Sequence, residues 1–459
     1  MIVKVCDALP GAGKTVSCIN MMNENTDKRY MFITPYLSEV ERIEKYCASR
    51  NFVQPEKLFK DGYSKLNGVH ELLEKGENIV STHALFSNFT DETKKLIRQG
   101  NYTLVLDEVI DLFQTVDIEP GDIDLLLNYD VVKKTGDKIT WEYTDYSGAA
   151  FADVQRISNS KDIIAYGDSF YFWSLPINTF NCFDDVYVLT YMFEHQMLRY
   201  FFDNNKVKYE LIGTKPINDT FTFCPLEEMN RAIDLRELIE VVDDEKLNKI
   251  GEPKFALSSN WFKKAAEVPE QPRLDELQRN IYNFFRSCDT DADDKIWTTF
   301  TKFRGQIKGK GYSNGFVSFN KRATNDYADR HTLAYCINVF LQPWIKNYLQ
   351  KQKDAAKKAG KRKLVKEINQ DMYALSILIQ WLFRSAIRRG EPVKLYIPSK
   401  RMRTLLIEWM DNLAEGRDLK EIHYVIDWTR ERPEPLKNND AYTRYNAVQN
   451  LLEEIKNKK

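Results

Sequence analysis

The first hundred residues switch repeatedly between short apolar runs and segments whose apolar positions recur every three or four residues. "IVKVCDA" (2–8) is an apolar run stopped by Pro10-Gly11 and suits a buried strand. "TVSCINMMNENT" suits a helix that opens at Lys14-Thr15. "RYMFITP" is β-prone and ends at Pro35, and "YLSEVERIEKYCAS" then puts Val40, Ile43 and Tyr46 at helical spacing. "ENIVSTHALF" reads as a strand and turn. "TDETKKLIRQG" reads as a helix capped by Thr90 or Asp91, with Gly100 past its end. "YTLVLDEV" closes the series as a β-rich run ending in Asp107 and Glu108. Strands alternating with helices predict a parallel sheet covered on both faces. In such sheets ligands gather beyond the carboxyl ends of the strands, where both the glycine loop and the acid pair fall.

The pattern continues less regularly. Residues 113–180 read as an insertion, with a hairpin in "GDKITWEYTDYSG" and an aromatic run, "DSFYFWSLP", packing its own core. "VYVLT" is a further strand of the first domain. "VKYELIG" reads as the first strand of a second domain, which places a boundary near 200–206. Beyond it, "KFAL" and "FVSFN" read as strands, with Ser258-Ser259-Asn260 at a helix cap. Residues 263–290 are mainly helical, and "TLAYCINVFLQPW" reads as a helix. "MYALSILIQWLFRSAIRRGEPVKLYIPS" gives a helix, a stop at Gly390 and a strand, and the chain ends on charged helices. The expected fold class is α/β, with two parallel-sheet domains: 1–205, carrying the insertion, and 206–459, carrying helical additions.

Composition narrows the partners. Over 459 residues the chain is 43% hydrophobic and 29% charged, with a formal net charge of −1. Any binding of nucleic acid therefore rests on local patches rather than bulk charge. The seven cysteines are scattered with no C-x-x-C pair, which excludes a zinc ribbon or disulfide framework and fits a reducing compartment. The N-terminus has no signal-peptide pattern and no apolar run is long enough to span a bilayer, so the expectation is a cytoplasmic protein without membrane contact. The basic stretch 351–367 reads as solvated surface with a secondary role on phosphates. The acidic run 289–294 lacks the glycine and closing Glu of a calcium loop, and reads as a solvated turn.

The strongest chemistry lies in "DALPGAGKT" (7–15). Pro10, Gly11, Ala12 and Gly13 would form a loop whose backbone N–H groups wrap an anion, at a helix N-terminus that adds partial positive charge. Lys14 would reach the outer phosphates, and Thr15 would place its hydroxyl on Mg²⁺. Asp107 would hold the same ion, and Glu108 would orient or activate the attacking water.

These motifs resemble those of superfamily 2, the DEAD/DEAH-like helicases. "ALPGAGKT", with Ala8 at the first position, is similar to the family's phosphate loop, and "LVLDEV" to its second motif. The resemblance implies two RecA-like domains that hydrolyse ATP and move along single-stranded DNA or RNA, DNA being favoured. It places Thr34 and Pro35 near the nucleic-acid backbone, with Ser81 and Thr82 exposed at a strand tip beside His83. In "VYVLTYMFEHQ" it makes Thr190 the residue coupling hydrolysis to movement along the strand, and in "KRATNDYADR" it points Arg322, Thr324 and Asn325 toward nucleic acid. Gln380, Arg384 and Arg388 are four apart and are expected on one helical face, with Gln380 at the nucleotide and Arg384 or Arg388 as an arginine finger. Only seven residues precede Ala8, too few for the family's adenine-reading glutamine segment, so the phosphates are expected to be the main handle on the nucleotide. The compact layout suggests a phage or mobile-element source. Two other readings stand beside this one: a DNA-packaging motor ATPase, and a binding protein switched by a nucleotide.

Overall fold

A computed structural model describes residues 2–417, apart from 36, 56–63, 144, 145, 147, 149, 168, 169, 230, 231, 321–325 and 359–367. The described residues divide between two units. One is drawn from Met1–Asp7, Thr15–Ile212 and Pro343–Glu367, the other from Ala8–Lys14, Gly213–Gln342 and Ile368–Lys459.

The apolar runs of the first half become strands because they bury side chains on both faces. β1 (Val3–Asp7), β2 (Arg29–Thr34), β3 (Ile79–Thr82) and β4 (Tyr102–Asp107) follow the predicted order, separated by the helices Lys14–Glu24, Leu37–Tyr46, Lys65–Lys75 and Asp91–Gly100. The last of these starts with a capping box between Thr90 and Thr93; Asn101, not Gly100, takes the left-handed position at its end. After the inserted strands β5 (Phe113–Thr115), β6 (Val132–Thr135), β7 (Lys138–Trp141), β8 (Asp162–Ala165) and β9 (Tyr171–Ser174), the chain returns through β10 (Asp185–Thr190) and β11 (Tyr209–Ile217). With β12 (Thr220–Pro225), these form a seven-stranded sheet in the order β12-β11-β1-β10-β4-β2-β3. Every register from β11 to β3 is parallel. Val3, Val5, Met31, Ile33, Leu104 and Val186 join Val69, Leu72 and Ile97 from the covering helices in one core.

One expectation is overturned here. "VKYELIG" does not begin a second sheet: its strand, β11, pairs in parallel with β1 from Val3↔Tyr209 to Cys6↔Ile212. Periodicity identifies a strand, but not the strand beside which it lies.

The insertion is a five-stranded antiparallel sheet, β5-β9-β8-β7-β6. The stretch read as a hairpin supplies only the turn Gly136-Asp137, with Gly136 at φ 63°, and the strand β7; the partner strand β6 precedes it. Ile123, Leu126, Val132, Ile139, Ile163 and Trp173 form its core. A segment from the other half of the chain completes it. The helix Pro343–Lys358 sets Trp344 and Tyr348 against Phe172, each with ring centroids 4.9 Å apart. Residues 351–358 of the basic stretch lie in this helix, and 359–367 fall outside the described residues.

The second unit holds a parallel four-stranded sheet in the order β13-β16-β15-β14. Its strands are β13 (Ile239–Val241), β14 (Lys295–Thr298), β15 (Thr332–Tyr335) and β16 (Val393–Tyr396). The helix Pro272–Ser287 packs Leu274, Leu277, Ile281 and Phe284 into a core with Trp297, Ala334 and Tyr396. Here the sequence reading misses three times. "TLAY" is the strand β15 and not a helix, because a run buried on both faces carries no periodicity to separate the two. "FVSFN" makes only an isolated bridge between Phe316 and Trp297, and "KFAL" is a run of turns before the helix Ser259–Glu267, which Ser258 caps. No helix among the described residues is long and apolar enough to cross a membrane.

Candidate nucleotide-binding site

Five parallel strands of the first sheet end on polar residues: Asp7, Thr34, Thr82, Asp107 and Thr190. Their registers align these ends, with Asp7 opposite Thr190, Asp107 opposite Leu189, and Thr34 opposite Thr82. The Asp7 carboxylate accepts the main-chain N–H groups of Met192 at 2.7 Å and Phe193 at 3.2 Å, and Met192 is in the left-handed region at φ 57°. Thr190 donates its hydroxyl to Gln196 at 2.8 Å, and Gln196 donates to the Tyr191 carbonyl at 2.7 Å. The sequence reading missed Asp7 and Gln196. A lone acid closing an apolar run before a glycine loop was the only available signal.

The glycine loop joins β1 to the helix Lys14–Glu24. Gly11 and Gly13 both have positive φ, at 89° and 78°, a conformation side chains resist. The Ala12 N–H closes a turn on the Leu9 carbonyl at 3.1 Å. Lys14 folds back over this turn, donating to the carbonyls of Ala8 at 2.7 Å and Leu9 at 3.0 Å. Its side chain is buried, while Pro10, Gly11, Ala12 and Thr15 are half-buried. Ala8 is fully buried, so a methyl group is accommodated where the usual loop carries its first glycine.

Asp107 is buried, and its carbonyl accepts the Nε2–H of His83 at 2.9 Å. The next residue, Glu108, is half-buried and left-handed at φ 63°, with its N–H donated to the Leu189 carbonyl at 3.0 Å. For a residue with a Cβ this conformation costs about 1–2 kcal/mol, and strain of this kind concentrates at functional sites. On the helix after the loop, burial pushes the Cys18 thiol well above its ordinary range and the Asp107 charge adds to the shift. None of the seven cysteines is in a disulfide.

These groups suit a magnesium-bound nucleotide in kind. A hydroxyl and a carboxylate are hard oxygen donors, and Mg²⁺ commonly takes only one or two carboxylates, with phosphates and waters completing the shell. Among the described residues no group of three or more His, Cys, Asp or Glu side chains could hold a metal by itself.

The other expected site residues are dispersed. Thr34, Ser81 and Thr190 are fully buried, so none presents its hydroxyl to solvent in this structure; Pro35 and Thr82 are half-buried. Arg322, Thr324 and Asn325 lie outside the described residues. Gln380, Arg384 and Arg388 do not share a helical face. Their helix, Gln370–Leu382, is closed at Phe383; Arg384 follows in a turn, and Arg388 lies in the 3₁₀ segment Ala386–Arg389. The break is local: Ser385 is extended and its hydroxyl caps the Leu382 carbonyl at 2.7 Å, while Gly390, at φ 74°, ends the 3₁₀ turn. Gln380 and Arg388 are half-buried, whereas Arg384 is buried and donates to the Ser318 carbonyl at 3.1 Å.

Arg401 is buried, ion-paired with Asp371 at 2.7 Å, and donates to Asn338 and Val339. In the acidic run Asp289, Asp291 and Asp293 are exposed as expected, but Asp294 is half-buried, its carboxylate accepting from the His331 main chain and ring at 2.9 Å and from the Thr332 hydroxyl at 2.7 Å.

Taken together, the chain is an α/β protein with two parallel sheets and a glycine loop at a strand–helix junction. Residues 233–410 match the family model described as the YonV C-terminal Rossmann-like domain. The SPbeta prophage-derived uncharacterized protein YonV of Bacillus subtilis (strain 168) is 36% identical over 427 residues, spanning 89% of this chain and 99% of that protein. The chain belongs to the YonV family. It is also similar in structure to S. tokodaii Xpd4, at 13% identity and a TM-score of 0.41, over 92% of this chain and 95% of that one; a likeness at this level carries no functional argument.

Proposed function

We propose that this protein is an ATP hydrolase of the superfamily 2 helicase type, which couples turnover to movement along single-stranded nucleic acid, DNA in preference to RNA. The observation that carries the reading is the alignment of the strand ends. A glycine loop with two left-handed glycines follows β1, and Asp107-Glu108 ends β4, with β10 holding both strands in register. Lys14 would exchange the carbonyls of Ala8 and Leu9 for phosphate oxygens, and the loop N–H groups and helix terminus would hold the remaining charge. Thr15 and Asp107 are the residues that would hold Mg²⁺, which when bound offsets charge developing on the phosphates. Glu108 would take the proton of the attacking water, its backbone held by the Leu189 carbonyl. The test is ATP turnover with and without single-stranded DNA or RNA. The reading requires hydrolysis that is stimulated by the strand and abolished by Lys14→Ala. A rate indifferent to nucleic acid would remove the translocase part.

A further inference from the structure

The glycine loop after β1 is touched by the hairpin β11–β12, which turns at Asn218-Asp219 with Asn218 left-handed at φ 52°. From β11, Thr214 donates its hydroxyl to the Ala12 carbonyl at 2.5 Å. From β12, Phe221 lays its ring against Gly13, where any Cβ would overlap the ring carbons. Both hairpin residues are buried, at 5% and 2% exposure.

The direction of the Thr214 bond matters. The Ala12 carbonyl and the Gly13 N–H belong to one trans peptide and point in opposite directions. Holding the carbonyl on the hairpin therefore turns the Gly13 N–H away from it. Gly13 is the residue before Lys14, where an anion-wrapping loop needs its N–H groups directed inward. A glycine at φ 78° has wide conformational freedom, and the Phe221 ring removes part of it.

We infer that the β11–β12 hairpin presets the phosphate loop for its ligand: Thr214 orients the Ala12–Gly13 peptide and Phe221 holds Gly13 left-handed, so both are positioning residues for a nucleoside triphosphate. The inference rests on the phosphate-loop reading above. It assigns nucleotide affinity to residues some two hundred positions away from the glycine motif.

The test uses the full chain, with MgATP binding followed by calorimetry and thermal unfolding followed with and without MgATP. Thr214→Val keeps the branched shape and loses the donor; it is expected to weaken MgATP binding about tenfold, the size of one well-oriented hydrogen bond near a charged ligand. Its melting temperature without nucleotide should stay close to wild type, and its MgATP-induced rise should shrink. Thr214→Ser should restore affinity. Phe221→Leu should weaken binding less than Phe221→Ala, and the serine–valine pair decides the matter if the alanine variant fails to fold. If Thr214→Val binds MgATP as wild type does, or if serine and valine behave alike, the hairpin is only structural and the inference fails. If wild type itself binds no MgATP, the phosphate-loop reading falls first and takes this inference with it.

Discussion

The imidazole of His83 donates its Nε2–H to the main-chain carbonyl of Asp107 at 2.9 Å, tying the end of β3 to the peptide that carries Glu108. A carbonyl accepts only from a protonated nitrogen, so the bond sets the tautomer of the ring as well as its orientation. A histidine that looks incidental in "STHALF" thus holds the two acids in place.

His83→Ala should therefore act on turnover more than on binding. The expected result is a fall in kcat of about tenfold with little change in the KM for ATP, as for loss of a group that only supports the reacting residues. Steady-state hydrolysis with saturating single-stranded DNA checks it, and an unchanged kcat would leave His83 a packing residue.

Glu108→Gln should separate binding from chemistry. The amide keeps the side-chain shape and the backbone bond to Leu189, so MgATP affinity should persist while kcat falls by about 10²–10⁴-fold, the usual contribution of a general base. Single-turnover hydrolysis together with calorimetry distinguishes this from simple unfolding.

The two candidate arginines should behave differently. Arg384 is buried with its guanidinium on the Ser318 carbonyl, so Arg384→Ala should lower the melting temperature. Arg388 is half-buried in a short 3₁₀ turn, so Arg388→Ala should leave stability nearly unchanged. If Arg388 is the finger, kcat falls by about 10³-fold at wild-type stability. A normal rate for Arg388→Ala would return the role to Arg384 or remove the finger altogether.

A pH effect on stability should come from His331. Burial alone lowers its pKa, but the hydrogen bonds its ring donates to the Asp294 and Glu391 carboxylates, each at 2.9 Å, outweigh burial and raise it above the ordinary value. The native state therefore holds this proton more tightly than the unfolded chain. Its contribution is complete below the unfolded pKa of about 6.5 and is lost as the pH rises through the higher folded value. His331→Gln should flatten that loss. Urea unfolding of both proteins at about pH 6 and about pH 8.5 checks the sign, and parallel pH dependence in the two proteins would rule His331 out.

Local pattern carried much of the first sheet. β1, β2 and β4 are short apolar runs bounded by proline, glycine or acids, and such punctuation survives folding unchanged. β15 was lost because four buried residues in a row show no period, and the Gln380–Arg388 face was lost because apolar Phe383, Ala386 and Ile387 continue a helical spacing that Ser385 breaks. The acid partner of Arg401, Asp371, lies thirty residues away on another helix, a pairing that no local pattern shows.

By itself the sequence determined the parts whose chemistry is local: glycines where φ must be positive, a lysine and threonine opening a helix, and an acid pair closing a strand. Only the tertiary structure decided their neighbours. It placed β11 beside β1, folded Lys14 onto the carbonyls of Ala8 and Leu9, and brought Thr214 to Ala12 across 202 positions of chain. Periodicity reports which face of an element is buried, but not what it is buried against. That choice belongs to side-chain and hydrogen-bond complementarity between distant segments, which forms only when the sheets assemble.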